Sequence, residues 1–417
     1  MRRSGTRYNF ERMAGPGRRK AAIVFVAALL AGLARSVLAQ PDLEQGLARV
    51  DVSLRRGDLK SAEAQLRDLA RLHPKSFVVR NNLGALYMQL QRYPAACREF
   101  TAAADLNPQI ADVQRNLGAC LFLTEAFESA IVPLRRAKAL DADDPRTRYQ
   151  LGYALLMLNR TQEARPELEY VNSKMPGEER TLFALVKLYQ SEGNQDKATA
   201  AFATLQRAHP DSPFVHILMG ESYDIQEKLD EAIAEFRKAI DLAPAMPRLH
   251  FDLGFLYWEG NRLAEAVPEF REEIQSNPGF APAYYYLGEI ALTQDRPSEA
   301  VEFFKEAISR RPGCLGAYLG LGKAYARTDK LSEAAAQFEQ ANRVDGNQAD
   351  VHYWLATTYR RLGDDGRSRA EMQRFESLRE KAKATAAGKL PGSDRWANAA
   401  CLSPASSAPH RSGESQP

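Results

Sequence analysis

Apolar residues recur along most of this chain at alternating steps of three and four, the period of an amphipathic helix. The runs come in pairs of about a dozen residues each, separated by short polar turns such as Gln294-Asp295-Arg296-Pro297. Small residues stand 34 apart at Gly84, Gly118, Gly152, Gly220, Gly254, Gly288 and Gly322, with Val186 and Ala356 completing the ladder. Twelve residues on lies a second small column, Ala96, Ala130, Ala164, Ala198, Ala232, Ala266, Ala300 and Ala334, with Ala62 and Ser368 at its ends. Large residues accompany them: Tyr87, Tyr189, Tyr223, Tyr257, Tyr325 and Tyr359 three after the first column, and Phe100, Phe202, Phe236, Phe270, Phe304 and Phe338 sixteen after it. Two helices in close contact at the small columns are predicted, with the rings filling the space left open.

Pro74, Pro108, Pro176, Pro210, Pro244, Pro278 and Pro312 close successive units, because proline disfavours helical geometry in the residue before it. Ala142 and Gly346 stand in two of these places. The register predicts ten helix-turn-helix units over residues 43–382, with Asp230, Ser298 and Ser332 placed to cap second helices. Pro166 is placed in or near a first turn, where amide hydrogens lack intrahelical partners; Pro133 lies deeper and should bend its helix.

The 34-residue spacing and the small, Tyr, Ala, Phe, Pro pattern resemble the tetratricopeptide repeat (TPR) family over residues 43–382. The resemblance implies an all-α fold, a right-handed α-solenoid of tandem helix-turn-helix TPR repeats whose units stack because none buries its apolar face alone. An end unit should then be more polar. The last second helix fits, with Arg367, Arg369, Glu371, Arg374, Glu376, Arg379, Glu380 and Lys381 outside and Met372, Phe375 and Leu378 on its apolar side.

The ends of the chain differ. Residues 1–39 read as a signal peptide: Arg18, Arg19 and Lys20, then the apolar run Ala21 to Leu33, then Val37-Leu38-Ala39 before Gln40. Cleavage is expected after Ala39, with an uncleaved anchor as the alternative, and Met13 is a second possible start; either end puts the repeats outside the cytoplasm. Residues 383–417, rich in Ala, Gly, Ser and Pro, are expected to be a disordered tail.

Charge changes the picture only slightly. Residues 1–40 hold eight of the 56 Lys and Arg and one of the 53 Asp and Glu, so the remainder is mildly acidic and well mixed. That argues against a nucleic-acid partner, which requires a clustered basic surface. Four cysteines, Cys97, Cys120, Cys314 and Cys401, are too few for a disulfide scaffold and lack ligand spacing. Cys97 and Cys120 lie on helices that pack together in this family, so a disulfide is conceivable, although two buried thiols are the expectation.

No catalytic motif is present, and no cofactor or metal is implied. Gly316 to Lys323 does not match a phosphate loop, because Ala324 replaces the required Ser or Thr. His216, His250 and His352 share a column but should stand about 10 Å apart per repeat. Asn159-Arg160-Thr161 matches a glycan acceptor that matters only in a eukaryotic secretory route.

Function is therefore sought in first-helix positions that the core does not need, which in this family line one inner surface. They read Arg146, Tyr149, Tyr153, Leu156; Arg180, Phe183, Lys187, Gln190; Phe214, Ile217, Glu221, Asp224; Arg248, Phe251, Phe255, Trp258; and Pro282, Tyr285, Glu289, Leu292. Aromatic and Arg side chains carry much interface energy, so the stripe suggests a concave groove for an extended or helical segment of a protein or peptide partner, with Trp258 foremost. The competing reading is ring packing between adjacent first helices. The resemblance also brings a clamp for a C-terminal carboxylate, but of Asn81, Ala85, Asn116, Arg146 and Gln150 only Asn116 and Arg146 fit it. A non-catalytic scaffold outside the cytoplasm is the expectation, with a regulatory TPR subunit of a separate envelope or polysaccharide-assembly enzyme as the alternative.

Overall fold

The structure is a computed structural model in which residues 41–386 and residue 401 are described. Among the described residues there are twenty helices and no strand, and no helix is long and apolar enough to cross a membrane. The helices fall into consecutive pairs. The first five are α1 (Pro41–Arg55) with α2 (Leu59–Leu72), α3 (Phe77–Gln89) with α4 (Tyr93–Leu106), α5 (Ala111–Leu123) with α6 (Phe127–Leu140), α7 (Pro145–Met157) with α8 (Thr161–Lys174), and α9 (Glu179–Ser191) with α10 (Gln195–Ala208). The second five are α11 (Pro213–Ile225) with α12 (Leu229–Leu242), α13 (Leu249–Glu259) with α14 (Leu263–Ser276), α15 (Ala281–Thr293) with α16 (Pro297–Arg310), α17 (Leu315–Arg327) with α18 (Leu331–Val344), and α19 (Ala349–Arg361) with α20 (Asp365–Ala386). Two compact units divide between His216 and Ile217, inside α11, and within each unit helices adjacent in sequence pack on one another as in a solenoid, as α5 on α6 and α15 on α16.

The small columns are where the two helices of a pair meet. A Cβ built on Gly84, Gly220 or Gly288 would stand 2.7 Å from the ring of Phe100, Phe236 or Phe304 respectively, so only a glycine lets the ring lie flat on the first helix. Those three rings and the Ala column twelve residues after the first are buried. Large and small positions thus interlock as the pattern predicts.

Each turn within a pair carries one residue in the left-handed region: Gly57, Gln91, Glu125, Asn159, Gly193, Glu227, Asn261, Asp295, Asp329 and Gly363. The amide after it reaches back across the turn, as Arg92 N to Tyr87 O and Arg160 N to Leu155 O, both 2.8 Å, which closes the helix C-terminus in a Schellman turn. This geometry moves the caps. Asp230, Ser298 and Ser332 lie at second helical positions, and the cap residues are Lys228, Arg296 and Lys330, which make no side-chain cap bond. Asp58 and Asn194 do cap, accepting from Ser61 N at 3.0 Å and Lys197 N at 3.2 Å. Because α8 begins at Thr161, Pro166 is beyond its first turn, where proline leaves the Gln162 carbonyl without its helical donor.

The cysteines depart from expectation. Cys97 on α4 and Cys120 on α5 are bonded, their Cα atoms 5.6 Å apart, because the two positions face each other across the junction between successive pairs. Cys314 is bonded to Cys401, with Cα atoms 4.6 Å apart, so the tail expected to be disordered carries a buried, fixed residue. The helix before that tail also runs on to Ala386. The signal-peptide expectation for 1–39 and the rest of the tail expectation lie outside the described residues.

Candidate partner-binding surface

Consecutive first helices bring the predicted stripe together within each unit. In the first unit Tyr149 and Tyr153 of α7 lie 5.9 Å apart, and Tyr153 meets Phe122 at 5.7 Å and Phe127 at 6.4 Å. Phe183 of α9 packs on Phe214 at 4.8 Å. Tyr153, Phe183 and Phe214 are buried, Arg146 is exposed, and Tyr149, Arg180 and Lys187 are half-buried.

The second unit carries the densest ring cluster. Phe251 is buried against Phe270, Phe280 and Tyr286 at 5.7, 5.0 and 5.7 Å, and Phe255 meets Tyr286 at 5.4 Å. Trp258 stays half-exposed, with Phe255 5.7 Å and Tyr286 5.0 Å away. Tyr285 and Glu289 are half-exposed on α15, while Ile217, Glu221 and Arg248 are buried. The stripe therefore divides: most phenylalanines pack between neighbouring helices, and Arg146, Tyr149, Arg180, Lys187, Trp258, Tyr285 and Glu289 retain exposure. Burial pushes the Glu289 carboxyl above the usual carboxylate range, against the pull of Lys323 and Arg327.

Tyr286 is the residue that the sequence stripe missed. It touches Phe251, Phe255, Trp258, Phe270 and Tyr285, yet its column reads Asn82, Asn116, Gln150, Ala184, Leu218 and Asp252 in earlier units, so no recurrence marks it. A second anomaly adjoins it. Arg248 adopts a left-handed conformation outside the turn column, its amide donating to Glu273 Oε2 at 2.9 Å and its guanidinium lying 4.7 Å over the Phe280 ring. Glu273 occupies a core column that elsewhere holds Leu69, Ala103, Ala137, Val171, Leu205, Ala239, Ala307, Ala341 and Phe375. As a result α13 has 11 residues, where the first helices on either side, α11 and α15, have 13.

Family models described as tetratricopeptide repeat match residues 47–100, 81–145, 155–221, 251–313 and 291–357, and one described as TPR repeat matches 220–260. The chain belongs to the tetratricopeptide repeat family. No curated protein sequence matches it. Similar solved structures include a chain of the APC/C hetero-tetramer Cut9-Hcn1, at 12% identity and TM-score 0.52, covering 87% of this chain and 90% of that one. An IFIT1 monomeric mutant with Gppp-AAAA aligns at 16% identity and TM-score 0.49, covering 87% of each chain. The human IFIT1 dimer with m7Gppp-AAAA aligns at 16% and 0.47, covering 79% of this chain and 80% of that one. At 12% identity the likeness to the Cut9-Hcn1 chain is one of fold.

The TPR solenoid generally mediates protein–protein interaction and generally serves as a non-catalytic scaffold. In this TPR array Asn116 Nδ2 donates to Asn81 Oδ1 at 3.0 Å, so the clamp-like amide of Asn116 is engaged by a neighbouring repeat. The histidine column is equally occupied: His250 Nδ1 lies 2.7 Å from Glu269 and His352 Nδ1 2.6 Å from Glu371. Among the described residues no group of three or more His, Cys, Asp or Glu is arranged to hold a metal ion.

Proposed function

We propose that this TPR protein is a non-catalytic scaffold outside the cytoplasm that holds an extended or helical segment of a partner protein against the inner stripe of its first helices. The observation that carries the reading is Trp258, half-exposed at the edge of a ring cluster that successive first helices build. A large amphipathic ring on a rigid base is the side chain most often central to an interface. Arg146, Arg180 and Lys187 supply donors along the same positions in the first unit. The extracytoplasmic placement draws support from the basic and apolar lead-in before Gln40 and from two cysteine pairs, which persist in oxidising compartments.

The test is photocrosslinking of the wild type, of Trp258→Ala and of a control, Arg271→Ala, on the exposed side of α14. Phe251 is left intact because removing so buried a ring costs about 3–5 kcal/mol and would confuse unfolding with lost binding. A partner lost from Trp258→Ala alone establishes the stripe as the site, whereas one set captured by all three proteins refutes it. Placement is read separately, from the mature N-terminus: a chain beginning at Gln40 or Pro41 in the extracytoplasmic fraction is expected, and an intact chain in the cytosol overturns it.

A further inference from the structure

Glu289 stands half-exposed on the inner stripe of α15, and no hydrogen bond or ion pair from the described residues reaches its carboxyl group. Carboxylates are rarely withdrawn from water without a cation. Burial lifts its pKa above the ordinary 4.5, although Lys323 and Arg327 of α17 pull the other way. Those two cations are committed elsewhere. Lys323 Nζ lies 5.5 Å over the Trp354 ring, and Arg327 donates to the Leu292 carbonyl and pairs with Asp295 at 3.8 Å.

Aromatic rings adjoin this carboxylate. Tyr285 and Tyr286 precede Glu289 by four and three residues, which puts both on its side of the helix. The buried Tyr286 ring meets Trp258 of α13 at 5.0 Å and 66°, and Tyr285 at 5.1 Å and 73°, so two half-exposed rings stand steeply on one buried ring. Burial first, and then Glu259 and Glu289, raise the Tyr286 pKa; burial and then Glu289 raise that of Tyr285. Both carboxylates therefore set a negative potential at the rings. The chain shows on α8 what suits such a combination. Glu167 and Tyr170 are also three residues apart, and Arg148 serves both, its guanidinium 3.8 Å over the Tyr170 ring and its Nη1 3.0 Å from Glu167. No arginine of the described residues plays that part for Glu289.

We propose that Trp258, Tyr285 and Glu289 seat an arginine side chain of the bound partner segment, its guanidinium lying against the rings and pairing with the carboxylate, an inference that rests on the inner stripe being the partner surface. Charge complementarity selects a cation here. Arginine is selected over lysine because its planar, weakly hydrated guanidinium stacks on aromatic faces and offers a two-pronged donor to a carboxylate, whereas an ammonium is a compact, strongly hydrated charge.

The test uses the full chain labelled with fluorotryptophan, the Trp258 fluorine resonance being assigned from Trp258→Phe. The probes are acetylated and amidated glycine heptapeptides with arginine, lysine or citrulline, which keeps the shape of arginine without its charge, at the centre. The arginine peptide should shift the Trp258 resonance saturably and bind more tightly than the other two. Glu289→Gln, checked by circular dichroism to remain folded, should weaken it about tenfold, the loss that goes with one charge-assisted hydrogen bond. The proposal fails if the arginine peptide leaves the resonance unmoved, if the citrulline or lysine peptide binds as tightly, or if Glu289→Gln binds like the wild type. The groove reading fails separately. A photocrosslinked partner lost from Trp258→Ala but retained by Glu289→Gln refutes the arginine seat and leaves the groove standing, whereas a Glu289-dependent response to the arginine peptide in a chain whose captured partners ignore Trp258→Ala upholds the seat and refutes the groove.

Discussion

Glu273 is a carboxylate in a column that every other repeat fills with an apolar side chain. Burial raises its pKa, although the Arg248 guanidinium, the Arg248 amide and the Asn277 side chain each pull it down. A carboxyl that binds its proton more tightly when folded destabilises the fold above its folded pKa and recovers that loss as the pH falls. Glu273→Gln keeps an acceptor for the Arg248 amide and removes the charge, so it should unfold at higher denaturant than wild type at pH 7, with the difference vanishing in acid. His250 acts in the same direction. Its hydrogen bond to Glu269 raises its pKa above the ordinary 6.5. The stability it adds is complete below 6.5 and is lost as pH rises through the folded value. His250→Gln should abolish that loss near neutrality, and a folded-state titration midpoint at or below 6.5 would contradict the assignment. Gly57 sits at φ +74, and a Cβ added there would meet nothing within 4 Å. Gly57→Ala should therefore cost about 1–2 kcal/mol through backbone strain alone, which chemical denaturation can read.

At the scale of the helix pair, stability comes from rings lying flat on glycine. A methyl on Gly288 would stand 2.7 Å from the Phe304 ring, and overpacking of this kind costs typically 1–3 kcal/mol. Gly288→Ala should lower the unfolding midpoint accordingly, and Phe304→Leu in the same chain should recover part of the loss, a coupling that a double-mutant cycle measures. These contacts were legible in the sequence because they recur at one spacing in unit after unit. The left-handed turn column was not, since its glycines appear only at Gly57, Gly193 and Gly363, and Gln91, Glu125 or Asp329 in the same place carry no glycine signal. The misplaced caps follow from that one omission, because a Schellman turn sets where the next helix starts. The candidate surface was half legible. Periodicity identifies the inner stripe, but the same positions also make the contacts between neighbouring first helices, so Phe183 and Phe251 read like Trp258 until burial separates them. Cys401 was unreadable for another reason: its partner lies 87 residues away, beyond any repeat period.

Across the molecule, contacts within each compact unit run mainly between helices adjacent in sequence, as α15 with α16 and α16 with α17, so a defect should travel only as far as the next pair. Phe304 tests this. Its buried ring lies against Gly288 of its own pair, against Gly320 of the following first helix, and 6.0 Å from Tyr285. Phe304→Ala removes all three contacts at once and should cost about 3–5 kcal/mol, the range for a large buried ring. In a globular core such a loss lowers protection everywhere. Here amide exchange should accelerate in α15, α16 and α17 and stay near the wild-type rate in α12 and α19, since neither touches the ring. Uniform acceleration across the second unit would mean that its helix pairs fold as one cooperative block, and the stability of each repeat would then no longer be a local property of its own small and aromatic columns.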